Sequence, residues 1–412
     1  MAAVQGLRGT GDWGTDERPK NFRELILFRN PNGTAPIFAL SAKTQKESVD
    51  DPEFSWWDEP NDLLRLQVNG ALGSTAQTVT VDSSDPSTTT PGNVWGLATH
   101  LVPGDLLLVE PSSDNATYDH EIVEVVSVVS TTVFTITRGA AGTTAASISD
   151  DAFLLKIGSA FAEGTAEPDA ASRNPIKYYN YTQIFKNVYE LTNTAAETRT
   201  RTGDPLKNDK KRKAFDHARD IEMAILLGQK SETTGANGKP KRTMDGIRKF
   251  IPSATTTILS SWTLDSFLDA VAPVFDFDSP AGDTRMAFVG NSALNHFNKK
   301  IADGSGQSAL NIQLGQKDKV FGMNFMEYLL PQGRLLLKTH PLMNRHSLYK
   351  NSMFVIDFSA LRWRPMRNRD TKFQDNIQAK GEDARRGQWI TEAGIELQFG
   401  GLTCGYIGGF GA

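Results

Sequence analysis

Residues 204–228, DPLKNDKKRKAFDHARDIEMAILLG, constrain this chain more than any other stretch. Asp204 is an N-cap residue type, Pro205 suits the first helical position, and Gly228 is a natural stop. Ala214, Ala218, Ile221 and Ile225 fall at i, i+4, i+7 and i+11, so the spacing predicts one helix over 205–227. At ~1.5 Å per residue it would be about 35 Å long. Its start is electrostatically awkward, because Lys207, Lys210, Lys211, Arg212 and Lys213 crowd the positive end of the macrodipole. Each cation there is unfavourable by up to ~1 kcal/mol before screening. An external anion would relieve the strain; a solvated lysine face offset by Asp204 and Asp209 is the other reading, and both stand at this point.

Around that helix the chain has three textures. Residues 1–50 are polar and rich in Gly, Asn and Pro, which reads as an extended arm. Residues 66 to about 160 carry turn signals at short spacing between β-branched runs such as TAQTVTV, LVPGDLLLVE and HEIVEVVSVVSTTVFTITRG, the pattern of a small all-β insertion. Mixed α/β character follows from Trp262 to Trp363. TLDSFLDAVAPVF and SALNHFNKKI have helical spacing, while RMAFVG, NFMEYLL, GRLLLKTH and NSMFVIDFSALRWRP read as strands. ADGSGQSALNIQLGQKDK is a polar loop between them. The tail QWITEAGIELQFGGLTCGYIGG reads as a final buried strand.

Charge is unevenly spread. The chain holds 44 Lys and Arg against 48 Asp and Glu, a net charge of −4. Yet Leu64 to Thr165 has three basic residues (Arg65, Arg138, Lys156) against eleven acids, a balance of −8. Arg334 to Trp389 has twelve against five, and Arg199 to Arg219 eight against three. Such asymmetry suggests complementary surfaces on neighbouring copies or a basic face turned to a polyanion.

Chemistry is hard to find. The six histidines form no metal-binding pair or zincin motif, and no phosphate loop, nucleophile elbow or kinase signature is present. The single cysteine, Cys404, excludes an internal disulfide and a thiolate zinc cluster. Asp276 to Asp278 reads as an ordinary turn, and DGSGQS as a loop without the strand and helix a nucleotide site needs. No catalytic residue, cofactor or metal site is therefore expected. The start has no signal-peptide core and no run approaches the ~20 residues that span a bilayer, so no membrane contact is expected and the composition is that of a soluble globular chain.

FSWWDEP, residues 54–60, sets two tryptophans beside carboxylates. Those types suit sugar stacking, but adjacent strand residues face opposite ways, so Trp56 and Trp57 cannot form one platform. They read instead as packing anchors at the base of a hairpin.

The order of elements, with Phe54, Trp56 and Asp58, then Asn180, Thr182 and Gln183, then Asp220 and Glu222 in HARDIEMAILLG, Gly246 in a "GI" turn, and Leu361, Arg362 and Glu392, resembles the major capsid proteins of tailed bacteriophages. The resemblance implies an α+β fold of the Johnson, or Hong-Kong-97, type. It would comprise an N-terminal arm (1–50), an E-loop (51–175) with the β insertion, and a P-domain (176–258) holding a spine helix at 205–227. An A-domain (259–362) and a return to the P-domain with a C-terminal strand (363–412) would complete it. It further implies hexamers and pentamers closing into an icosahedral head around double-stranded DNA, in a virion assembled in the host cytoplasm. Portal, scaffold or decoration proteins are candidate partners. Trp56 and Trp57 would anchor the E-loop root, one ring inward and the other against a neighbour. Lys207, Lys210, Lys211, Arg212 and Lys213 would meet DNA phosphate or an acidic neighbour. An encapsulin-like compartment, a carbohydrate-binding adhesin and an enzyme are the rival readings.

Overall fold

The computed structural model describes residues 37–38, 45–58, 65–82, 97–110, 120–166, 175–198, 200, 203–261, 263–302, 317–320 and 323–410. Most of the expected arm, residues 1–50, and of the polar loop at 302–319 lies outside the described residues. Strand β1 (Glu53–Asp58) leads into an excursion of six strands: β2 (Arg65–Gln67), β3 (Thr78–Thr80), β4 (Asp105–Val109), β5 (Ile122–Val128), β6 (Val133–Ala140) and β7 (Phe153–Ser159). They form one antiparallel sheet in the order β2-β7-β4-β5-β6-β3. Alternate residues explain why it closes on itself. Val123 and Val125 of β5 and Phe134 and Ile136 of β6 point inward with Leu66, Val79, Leu107 and Leu154, giving the insertion its own apolar core.

The chain returns as β8 (Ile176–Tyr181), antiparallel to β1 and separate from the insertion's sheet. It runs on as β9 (Gln183–Thr192) and then α1 (Pro205–Leu227). The helix starts where its chemistry dictates: the Asp204 carboxylate accepts from the N–H groups of Leu206 and Lys207. Only its second half is buried, through His217, Ile221, Glu222, Ile225 and Leu226, whereas Ala214 and Ala218 are half-buried. Ile221 and Ile225 each contribute about 1.5–3 kcal/mol by burial. The helix stops at Gly228 because another segment lies against it there. Gly246 donates its N–H to the Gly228 carbonyl at 3.0 Å, and a Cβ on either glycine would meet backbone at 2.5 Å.

A hairpin, β10 (Ser231–Thr234) and β11 (Pro240–Thr243), follows the helix. Next come β12 (Thr256–Ile258), α2 (Leu264–Val271), β13 (Thr284–Val289), α3 (Asn291–Ala302), β14 (Lys317–Val320), β15 (Met323–Leu330), β16 (Gly333–Thr339) and β17 (Met353–Ile356). The last elements are β18 (Leu361–Pro365), β19 (Lys372–Gln374), β20 (Ala384–Leu397) and β21 (Gly405–Gly408). Thr263 caps α2 in a reciprocal box with Ser266, which fixes its start.

The tail departs from the expected single strand. It makes two, separated by a turn at Phe399–Gly401, and they belong to different sheets. β20 pairs with β9 along ten residues and with β18 and β19 on its other edge. β21 instead enters a seven-stranded sheet in the order β12-β21-β17-β13-β16-β15-β14. The last strand of 363–412 enters the sheet built mainly from 256–356, and β18 pairs with β20. Burial is the reason. Gly405, Tyr406, Ile407 and Gly408 are all buried, and a position between β12 and β17 pairs the backbone groups that such burial strips of water.

Candidate interaction surfaces

β1 and β8 pair residue for residue, Trp56 opposite Tyr178 and Trp57 opposite Lys177. The two tryptophans part company there. Trp56 is 6% exposed and packs between Phe54 and Tyr178, both at 6.1 Å between ring centroids, and Phe250 at 5.8 Å. Trp57 is 61% exposed on the opposite face, near Tyr179, over whose ring Lys230 Nζ sits at 3.7 Å. A shared sugar platform is ruled out by this geometry. Phe54 lies over Gly394 of β20, where a Cβ would stand 2.7 Å from its ring.

Behind the ribbon, Asn180 acts as a clamp. Its Nδ2 donates to the carbonyls of Ile395 at 2.8 Å and Asp245 at 3.2 Å, and its Oδ1 accepts the Asp245 N–H at 2.8 Å. Gln183 Oε1 accepts from Met244 N at 3.1 Å, and Thr182 Oγ1 lies 3.3 Å from Glu392 Oε1. The motif residues thus join the ribbon root to the turn before Gly246 and to β20. Asn180 is fully buried.

The five cations at the helix start do not make one open strip. Lys207, 84% exposed, is 3.9 Å from Asp204, Arg212 is 3.9 Å from Asp209, and Lys213 is 3.9 Å from Asp216. Lys210 Nζ lies 3.6 Å above the ring of Phe373, which stacks on Tyr189 and meets Trp389. Burial and the nearby Asp375 carboxylate push the Tyr189 hydroxyl up to about 12. Much of the macrodipole problem is therefore offset within the chain, by the Asp204 cap and these acids. Lys207, Lys211 and Arg212 remain on the exposed side.

Two buried polar junctions tie the helix down. His217 lies 2.7 Å from Asn187 Oδ1 on β9 and 2.7 Å from Thr391 Oγ1 on β20. Asn187 gives its own Nδ2 to Asp220, so its oxygen takes the His217 Nδ1 proton, while Nε2 lies against the Thr391 hydroxyl, which also meets Thr371 Oγ1 at 2.9 Å. Burial lowers the His217 pKa, with Asp220 opposing. Below about pH 6.5 the unfolded chain gains a proton that the folded chain resists, so stability falls as pH drops toward the lowered folded value. Urea midpoints at pH 7.5 and 5.5 should fall further apart for the parent than for His217→Gln; equal gaps in the two proteins would remove this role.

The second junction is Glu222, fully buried, which accepts from the N–H of Ile37 at 2.9 Å and of Phe38 at 2.6 Å. His340, just past β16 and also fully buried, places Nε2 2.6 Å from the same carboxylate. One carboxylate thus joins the helix, the chain before residue 45, and the end of a strand of the seven-stranded sheet.

Linear charge counts change meaning in three dimensions. In the segment from Arg334 to Trp389, Arg334, Arg369, Arg385 and Arg386 pair with Glu327, Glu392, Glu197 and Glu190, and Arg364 with Glu396 and Glu47. All these acids lie outside that segment, so its excess of cations is not a free basic face. The insertion behaves oppositely. Its three cations are all used internally, Arg65 on Glu110, Arg138 on Glu121 and Lys156 on Asp105. Burial alone would raise the Glu121 pKa, but Arg138 and the N–H groups of Ala146 and Gly139 outweigh it and hold it low.

The sequence profile of the SU10 major capsid protein family matches residues 5–404. The chain belongs to that family. Its role is accordingly that of a phage major capsid protein. A major capsid protein of Pseudomonas phage PaMx41 is 26% identical over 394 residues, 93% of this chain and 88% of that one. Among solved structures, the capsid of a native GTA particle aligns with a TM-score of 0.49 at 9% identity, over 97% of this chain and 98% of that one. The SrpI encapsulin of Synechococcus elongatus PCC 7942 aligns at 0.40 and 7% identity, over 57% and 75%.

In the capsid chain no group of three or more His, Cys, Asp or Glu that could hold a metal occurs among the described residues. No helix there is long and apolar enough to cross a membrane. Sequence reasoning missed His217 and His340, since a lone histidine carries no signal of its partners 30, 118 or 174 residues away. Glu222 stood out only through the resemblance. A charged residue between Ile221 and Ile225, on the buried side of the helix, was the available hint.

Proposed function

We propose that copies of this chain assemble through rotationally closed contacts into hexamers and pentamers, and these into an icosahedral head enclosing double-stranded DNA. The match to a capsid family across residues 5–404 carries the reading. A structural rather than catalytic role fits a chain whose buried polar groups cross-brace elements distant in sequence. The exposed ring of Trp57 suits contact with a neighbouring copy at the E-loop root. Lys207, Lys211 and Arg212, on the exposed side of the helix start, suit packaged DNA or an acidic neighbour. Any DNA contact there would be sequence-independent and would weaken with salt, by roughly 0.9 in log K per log salt for each phosphate neutralised. Portal, scaffold and decoration proteins are the remaining expected partners, and the host cytoplasm the site of assembly.

Electron microscopy of the purified chain at low and high salt tests this, with closed shells or capsomer rings expected. Particles from infected cells should hold nuclease-resistant DNA; protein cargo without nucleic acid would favour the encapsulin-like reading. A chain that stays monomeric with every co-produced head protein would overturn it.

A further inference from the structure

The β10–β11 hairpin is an unpartnered piece of sheet. It joins no other sheet, none of its eight residues is buried and none is aliphatic apart from Pro240. An isolated two-stranded hairpin is marginal in water, and within one copy this one is held by its own ladder and at its base, where the Thr243 hydroxyl donates to the Gln229 carbonyl at 2.7 Å. Its two faces differ. On one, Arg242 pairs with Glu232 at 3.2 Å, beside Thr234 and Pro240. The other carries Ser231, Thr233, Lys241 and Thr243, with Lys239 one step beyond in the same alternation, and no acid. Lys239 and Lys241 have no ion-pair partner among the described residues, so this face offers two ammonium groups to whatever covers it, the Thr233 and Thr243 hydroxyls being donated to the carbonyls of Lys241 and Gln229.

The insertion presents the complement. Once Arg65, Arg138 and Lys156 are paired, Asp82, Glu124, Asp150, Asp151 and Glu163 meet no basic side chain among the described residues. It is a cored, six-stranded body whose charge left without an ion-pair partner is of one sign. We propose that the cationic face of the β10–β11 hairpin docks on the β2–β7 insertion of a second copy. The contact is heterologous, the kind that closes a ring or extends a lattice. Two cations are few for a polyanion, since they release only about two counterions, whereas they match a carboxylate surface repeated on every copy. Opposed charge of this kind steers encounter and register more than it adds raw affinity.

This inference rests on the assembly reading above. The experiment is carbodiimide coupling of particles assembled from an equal mixture of heavy-nitrogen and normal chains, followed by mass spectrometry. Mixed-isotope links from Lys239 or Lys241 to Asp82, Glu124, Asp150, Asp151 or Glu163 are expected. Lys239→Glu with Lys241→Glu, a solvent-exposed double change, should leave the melting temperature of the single chain unchanged and cut particle yield about tenfold, since like charges would then meet. Particles that form but show no such link, or links only within one copy, overturn the contact alone. Unchanged yield with reduced DNA retention reassigns the hairpin to phosphate and overturns it too. Failure of any multi-copy particle to form removes both this contact and the assembly reading.

Discussion

Replacing Glu222 by alanine is expected to destabilise the folded capsid chain by about 3–5 kcal/mol, the cost of breaking a fully buried polar junction. Glu222 is the shared acceptor for Ile37 N–H, Phe38 N–H and His340 Nε2. Removing it leaves three donors in a fully buried site, each costing about 1–3 kcal/mol if unsatisfied. His340 has no alternative, because its Nδ1 already lacks a partner among the described residues. Glu222→Gln should be intermediate: the amide oxygen still accepts, but its NH2 faces donors. The readouts are a urea titration and limited proteolysis, and new cleavage before residue 45 should appear at denaturant levels that leave the rest intact. A loss under about 1 kcal/mol, with no change in the cleavage pattern, would show that the junction is not what seats the Ile37–Phe38 segment.

The second large effect separates the two tryptophans. Trp56→Ala should cost about 3–5 kcal/mol, the usual range for emptying a large aromatic from a packed core. It fills space between Phe54, Tyr178 and Phe250 in the core that also holds Ile221, Ile225, Trp363 and Ile395. Trp56→Phe should recover most of that loss, since the buried indole N–H has no acceptor among the described residues and so gives up no hydrogen bond. Trp57→Ala removes a mostly exposed ring, and its stability should stay within about 0.5 kcal/mol of the parent. What it should change is particle yield. Denaturant midpoints for the three variants, beside particle counts, test the division; equal destabilisation by both alanine changes would place Trp57 in the core of its own chain instead.

Several features were legible because their causes are local. Asp204, Pro205 and Gly228 bound a helix running over 205–227, since capping depends on atoms within a few residues. The opposite facing of Trp56 and Trp57 follows from the period of a strand and nothing else. The β-branched run HEIVEVVSVVSTTVFTITRG likewise marked β5 and β6. The excess acid of the insertion survived folding as a surface property because its few cations found acids inside the same module.

Other features had no local cause to read. The cation-rich stretch from Arg334 to Trp389 looked like a basic face until β20 met β9 and brought Arg386 against Glu190, 196 residues away. The tail read as one strand, yet Phe399–Gly401 divides it between two sheets, and only the burial of β21 on both faces decides which it joins. The sequence by itself determined where elements begin, which way their side chains alternate, and how charge is distributed among modules, because those depend on neighbours along the chain. The tertiary structure decided which strands pair, which charges cancel, and that Glu222, Ile37 and His340 meet at one carboxylate, because those contacts depend on parts of the chain more than a hundred residues apart that nothing but the folded core brings together.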